Sequence, residues 1–493
     1  MQPEDAESLA ASPPGAATPS LARRLGRFDV TMLVMGSVIG SGIFVVPHVV
    51  ARLVHSPALI LGAWLLGGMV ALAGSLVYAE LTRRRPHVGG QYAFLREAYH
   101  PALAFLYGWS LLWVVQSGGM ASVAVVFARY FLELLRLLGG WLVLHGQHDI
   151  LGRFLSACAD APAAGGVVTT AAIGILTLIN CTGVRAAGTT QNIFMALKIA
   201  AILMLVVCGL LLVHGPAPAT PGFAEVARAG ARSTALPGDL QLVAAFAAAM
   251  VPVFFAYGGW HTTTFIAGEV SEPTRTLPQA LVLGVSGVIV LYVAVNFVCL
   301  NALGADRLAV TEHPASDVMR LALGDLGAAL ISVGIAISAL GFLSQATLTS
   351  PRVYFAMAGD GLFFKSVAWV HPRTRVPVVA ILLQGLFAIV IAVSGTFQQI
   401  VNYIMSVEMV FWSLTALSLF RIRRRDAELG NLADASMPGH PLTTLLFVGV
   451  NLAVLAGLFY SSFDSFKNSA MGLAIALLGL PVYWLWRLRK PAR

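Results

Sequence analysis

Gly36-Ser37-Val38-Ile39-Gly40-Ser41-Gly42-Ile43-Phe44 puts three glycines and two serines in the middle of an apolar run that extends from Phe28 to Leu53. A second apolar run, Leu240 to Gly268, carries Pro252 and then Phe254-Phe255-Ala256-Tyr257-Gly258-Gly259-Trp260-His261-Thr262-Thr263-Thr264, again small and polar at its centre. Glycine loses the most backbone entropy in a helix, and proline removes a hydrogen bond. Both runs are therefore expected to unwind near their midpoints, with Pro47 adding to the first break.

The surroundings of these stretches set the solvent. Hydrophobic residues make up 58% of the 493 residues, charged residues 11%, and mean hydropathy is +0.80. Runs of about 20 apolar residues recur along the chain, each able to cross a hydrocarbon core of about 30 Å. Unpaired backbone groups are costly in lipid, so each run is expected to be helical. Twelve spans are predicted: 28–53, 58–81, 101–135, 166–183, 191–214, 240–268, 277–303, 326–357, 376–393, 400–420, 442–460 and 470–488. Residues 1–25 read as a disordered cytoplasmic tail; the stretch Met1 to Ser20, rich in Ala, Pro and acidic residues, lacks the basic n-region and apolar core of a signal peptide. Residues 26–425 form the expected core, and 426–493 the accessory spans with a cytoplasmic C-terminus. The four cysteines are scattered and give neither a disulfide framework nor a zinc spacing.

Lysine and arginine are concentrated in alternate connections, with Arg83-Arg84-Arg85 and Arg421-Ile422-Arg423-Arg424-Arg425 the densest groups. The positive-inside rule then puts both termini in the cytoplasm. The net charge of +8 is explained by this topology and by anionic lipid at the inner face, so nucleic acid is not an expected partner.

A broken helix exposes amides on one side of the break and carbonyls on the other, deep in the membrane. Amides suit anions and carbonyls suit cations, so a zwitterion satisfies both. Spans 1 and 6 open two consecutive five-helix blocks, 26–215 and 240–425, which is the placement expected of an inverted repeat. The competing reading for span 1 is close helix packing, because Gly36 and Gly40 also form GxxxG.

The run Gly36 to Phe44, the run Phe255-Ala256-Tyr257-Gly258-Gly259-Trp260 continuing to Gly268-Glu269-Val270 and Pro273 to Pro278, and Gly89-Gly90-Gln91-Tyr92 resemble the L-type amino acid transporter family, of bacterial type, within the amino acid, polyamine and organocation superfamily. The resemblance runs from about Phe28 to Arg425. It implies an all-α integral membrane protein with the leucine-transporter-type fold: a 5+5 inverted repeat, broken helices 1 and 6, two accessory helices and alternating access. It also implies roles. The substrate carboxylate would meet the amides of Ser41 and Gly42 and the Ser41 hydroxyl, and the ammonium would meet carbonyls of Val38, Phe255 and Gly258. Ile39, Gly40 and Gly259 complete the expected substrate-binding residues at the two breaks. Phe255 is similar to the aromatic gate of the family, with Tyr257 and Trp260 shaping the pocket below it; ordinary helix packing is the competing reading for those two.

Lys198 stands seven residues into span 5, roughly 10 Å from its start. Either it snorkels back to the inner surface, or its ammonium replaces a coupling sodium ion and ties span 5 to carbonyls of span 1, as the resemblance implies. Glu408, near the middle of span 10, and His261, after Gly259-Trp260, depart from the family pattern. A buried carboxyl could be a protonated hydrogen-bond donor, a proton carrier or a partner for a cationic side chain. His261 could titrate near physiological pH or be a satisfied neutral histidine. Glu269 and Arg275 are candidates for an ion pair at the inner end of span 6. Gln116, Ser338, Ser344 and Gln345 could face a pocket or bond across helices. Cys158, in the connection after span 3, stands where eukaryotic relatives keep a cysteine that links an ancillary single-span protein; a chain that works without such a partner is expected.

The leading expectation is a sodium-independent carrier of L-amino acids, neutral ones foremost, as an exchanger or with protons. The alternative is an antiporter for cationic amino acids or polyamines that uses Glu408. A remote third reading is a non-transporting nutrient sensor or a membrane enzyme. No HExxH, GxSxG or P-loop is present, so neither catalytic residues nor a cofactor or metal is expected.

Overall fold

A computed structural model describes residues 24–144, 149–215, 238–393, 397–430, 437–460 and 463–488. The N-terminal tail expected from composition thus falls almost wholly outside the described residues, as do the basic residues after 488. Among the described residues the chain is helical, and its only β-type pairing is one parallel bridge between Leu25 and Val270. Eleven helices are long and apolar enough to cross a membrane, and a shorter apolar one, Val378–Ala392, makes twelve.

The first span is two helices, α1 (Arg27–Val38) and α2 (Gly42–Val54). Then come α3 (Pro57–Arg84), the short α4 (Gln91–Ala98) and α5 (Pro101–Ser110), which passes through a π-helical turn, Leu111–Val115, into α6 (Gln116–Leu144). After α7 (Asp149–Asp160), α8 (Ala164–Cys181) and α9 (Val184–Leu212) close the first block. The second block opens with α10 (Gly238–Tyr257), followed after Gly258-Gly259 by a 3₁₀ helix, Trp260–Glu269. Next are α11 (Pro273–Val310), α12 (Pro314–Thr349), α13 (Pro351–Gly359), α14 (Val378–Ala392) and α15 (Phe397–Glu428). The chain ends in α16 (Leu442–Tyr460), α17 (Phe463–Leu477) and α18 (Gly479–Leu488).

Both expected interruptions are present, but the prolines do not make them. Pro47 lies inside α2 and Pro252 inside α10; each chain opens at its glycines instead. Gly259 has φ +96, a region that glycine alone enters freely, and a Cβ there would stand 2.3 Å from the Ser37 carbonyl oxygen. The two breaks therefore touch. Two connections turn out to hold helices, α4 and α7. The last span, expected from residue 470, starts at 463 and is divided near residue 478.

Three devices fix the C-terminal half of the second broken helix. The Arg24 and Leu25 amides donate to the Glu269 carbonyl, and the Ser271 amide donates back to Leu25. The Gly89 amide donates to the Phe265 carbonyl, and a Cβ on Gly90 would lie 2.2 Å from Thr264 Oγ1. Gly89-Gly90-Gln91-Tyr92 is thus a close-approach motif against the 3₁₀ helix. Finally, the Arg352 guanidinium donates to the Glu269 carboxylate at 2.7 Å, both side chains fully buried. The ion pair anticipated with Arg275 is corrected: Arg275 is exposed, and Arg352 is the partner.

Candidate functional site

Between the two breaks lies a cavity of about 580 Å³ of empty space including its mouth. Its wall takes Val38, Gly40, Ser41 and Gly42 from the first break and Phe255, Ala256, Gly258 and Gly259 from the second. Gln116 and Gly119 of α6, Phe342 of α12, and Met405, Glu408 and Trp412 of α15 line the rest. A larger groove of about 860 Å³ lies elsewhere, lined by Arg27, Arg83, Pro278 and Met437, and shares no residue with the breaks.

Ser41 is the N-terminal cap of α2, so the first amides of that helix have no intrahelical acceptor and aim their partial positive charge past it. The Ser41 hydroxyl, 1% exposed, has no hydrogen-bond partner. That combination, free amides plus an unpaired hydroxyl at a helix N-terminus, suits a carboxylate. On the opposite side α1 ends at Val38, whose carbonyl accepts from Tyr292 Oη at 2.9 Å, and the Phe255 carbonyl accepts from the Gly258 amide at 3.1 Å. The Val38 carbonyl also accepts from the Gly40 amide at 2.9 Å, so both of its lone pairs are engaged within the protein. The Gly40 carbonyl is held by the Ser338 hydroxyl at 2.9 Å.

Lys198 is fully buried, and its ammonium donates to the carbonyls of Gly36 at 3.1 Å and Ile39 at 2.5 Å. Its depth corrects the sequence reading. α9 begins at Val184, because the polar run Gly188-Thr189-Thr190-Gln191-Asn192 is helical, so Lys198 stands near the middle of the span. Snorkelling is excluded by this position and by the aim of the side chain at the first break. Gly341 leaves room for it: a Cβ there would be 2.5 Å from Lys198 Cε.

Two aromatics anticipated in the pocket stand behind its wall. Tyr257 packs on Trp64 and Tyr292, with ring centroids 5.8 and 5.0 Å away. Trp260 packs on Tyr78 at 4.9 Å and on Trp412 at 6.0 Å. Neither lines the cavity; being the first rigid residues beside the Gly258-Gly259 break, both turn into helix contacts. Phe255 does line it and is only partly buried. Glu408 lines it too, and its Oε1 stands 3.7 Å from His261 Nε2. Of the other polar candidates, Gln116 faces the cavity, Gln345 donates to the Thr262 hydroxyl at 3.0 Å, and Ser344 is buried.

Sequence reasoning missed Phe342, Met405, Trp412 and Tyr292. Tyr292 offered one signal, a hydroxyl within an apolar span; the others are apolar residues in apolar helices, and nothing in their spacing marks the face turned inward.

Comparison with known proteins agrees with this architecture. A serine/threonine exchanger, SteT, from Bacillus subtilis (strain 168) is 29% identical over 95% of this chain and 98% of its own length. The human large neutral amino acids transporter small subunit 2 is 26% identical over 94% of this chain and 81% of its own. The human b(0,+)-type amino acid transporter 1 is 27% identical over 91% and 86%. The model of the amino acid permease family matches residues 25–481, almost the whole membrane bundle, and the chain belongs to that family.

Proposed function

We propose that this protein is a sodium-independent secondary transporter of L-amino acids, neutral ones foremost, working by alternating access. It acts in the cell membrane with both termini in the cytoplasm. The free amides and hydroxyl at Ser41 receive the carboxylate, and the carbonyls at Phe255 and Gly258 receive the ammonium, so recognition depends on the part common to all amino acids. The two helical blocks, 26–215 and 240–425, move as inverted repeats around this site.

The observation that carries the sodium independence is the Lys198 ammonium on the Gly36 and Ile39 carbonyls. A fixed cation occupies the carbonyl pole that a free cation would otherwise neutralise. Uptake of labelled alanine and serine by proteoliposomes, with sodium outside or with potassium or choline in its place, tests this. Equal uptake in all three is expected; uptake driven by an inward sodium gradient would refute it.

A second reading, a carrier of cationic amino acids or polyamines, is favoured by one feature, the Glu408 carboxyl in the cavity wall. Counter-flow with unlabelled alanine, leucine and arginine separates the two. The chain is proposed to work without an ancillary subunit and to catalyse no reaction. Cys158 is exposed on α7, but activity of the purified chain reconstituted by itself is the expected result.

A further inference from the structure

Among the described residues Glu408 is the only ionisable side chain in the cavity wall, and it is 5% exposed. Its Oε1 faces His261 Nε2 at 3.7 Å, just beyond a direct hydrogen bond. Neither ring nitrogen of His261 has a hydrogen-bond partner, nor has Glu408 Oε2. The rings of Tyr78, Phe265, Trp260 and Trp412 pack around the imidazole, with centroids 5.5 to 6.1 Å away.

The groups that face this pair are known from each neighbouring element. α3 contributes the Tyr78 phenol, which faces the Thr415 hydroxyl, and α5 the Tyr107 phenol, which has no hydrogen-bond partner; both are within electrostatic reach of Glu408. α6 contributes Gln116, and α15 itself contributes Thr415. At the far end of the 3₁₀ helix the Glu269–Arg352 pair is closed on itself. Lys198 directs its ammonium at Gly36 and Ile39. No cationic side chain lines the cavity with Glu408.

An ionised carboxylate without a cation at this depth costs several kcal/mol. Two loads remove that cost. One proton shared by Glu408 and His261 leaves the pair neutral overall, whichever of the two holds it. Alternatively, the ammonium or guanidinium of a substrate side chain sits on the carboxylate. The helix poles at the breaks take the carboxylate and amino group of an amino acid, so its side chain is the part left to meet Glu408.

We infer that Glu408 fixes the charge of the loaded cavity: a neutral amino acid travels with one proton held by the Glu408–His261 pair, and a cationic amino acid travels in place of that proton. The proton enters from the compartment to which the cavity is open and leaves to the other side; only an O–H or N–H bond forms and breaks. Either load moves one positive charge. This rests on the amino acid carrier reading and deepens it.

The test uses the full chain in proteoliposomes with a trapped pH-sensitive dye, the membrane potential clamped by potassium and valinomycin, and labelled alanine or lysine outside. Alanine influx should acidify the lumen by about one proton per molecule. Lysine influx should leave lumen pH unchanged, and unlabelled lysine should inhibit alanine uptake. Glu408→Gln should abolish the acidification and weaken inhibition by lysine at least about tenfold, the effect of losing a charged hydrogen bond. His261→Asn should move the pH of half-maximal alanine uptake. Wild-type alanine uptake without a pH change, lysine uptake with one, or lysine that fails to compete would overturn the inference, whether or not the variants fold. Absence of any amino acid uptake would overturn the carrier reading itself.

Discussion

At Ser41 the side chain and the backbone do separable work. Its hydroxyl has no hydrogen-bond partner in the protein, so removing it sacrifices no native contact. Ser41→Ala should therefore leave thermal unfolding unchanged while raising KM for amino acid uptake about tenfold, the worth of one hydrogen bond to a carboxylate. A lowered melting temperature with unchanged KM would assign the hydroxyl to folding instead. Gly36 to Phe44 was readable because small residues stand out against leucine and valine, whereas Phe342 and Met405 were not: in lipid both faces of a helix are apolar, so the contrast that marks a buried face in water is missing. Lys198 was legible as costly and functional, but its depth was misjudged because threonines and amides before it resemble a loop in composition. Its true position is set by the start of α9 at Val184.

At the level of elements, the 3₁₀ helix Trp260–Glu269 is held by neighbours rather than by its own hydrogen-bond geometry, which is poor in long 3₁₀ runs. Its C-terminal end depends on the Glu269–Arg352 pair, 0% exposed on both sides. Glu269→Gln leaves a guanidinium buried beside a neutral amide and should cost about 3–5 kcal/mol. The melting temperature of the purified chain would register that loss, and Arg275→Gln, altering an exposed residue, should barely move it. Equal losses in both variants would argue for Arg275 as the partner. The breaks themselves were predictable as to place but not as to cause. Glycine opens the chain where another backbone must come close, as Gly259 does against Ser37, while proline is tolerated inside α2 and α10 because only one hydrogen bond is lost.

For the molecule as a whole, composition pointed to helices in lipid and the recurring apolar runs to their number; the described residues hold eleven long spans and one short one. What composition could not dictate was which parts of the bundle face the middle. That is decided by rotation of each helix about its axis, and α6 keeps its rotation across one local irregularity. The wide turn at Leu111–Val115 precedes Gln116 and Gly119 in the cavity wall. A π turn amounts to one residue inserted into an α-helix, and each residue turns the helix by about 100°. Excising a single residue from this turn should restore a plain α-helix and keep Gln116 and Gly119 on the cavity, because the wide turn takes up the extra residue locally. The order of preference among amino acids in a competition assay should then be unchanged, and a reordered preference would show that the turn sets the rotation of α6. The turn in that sense works as slack in the chain, letting the helix carry one residue more without turning its cavity face away.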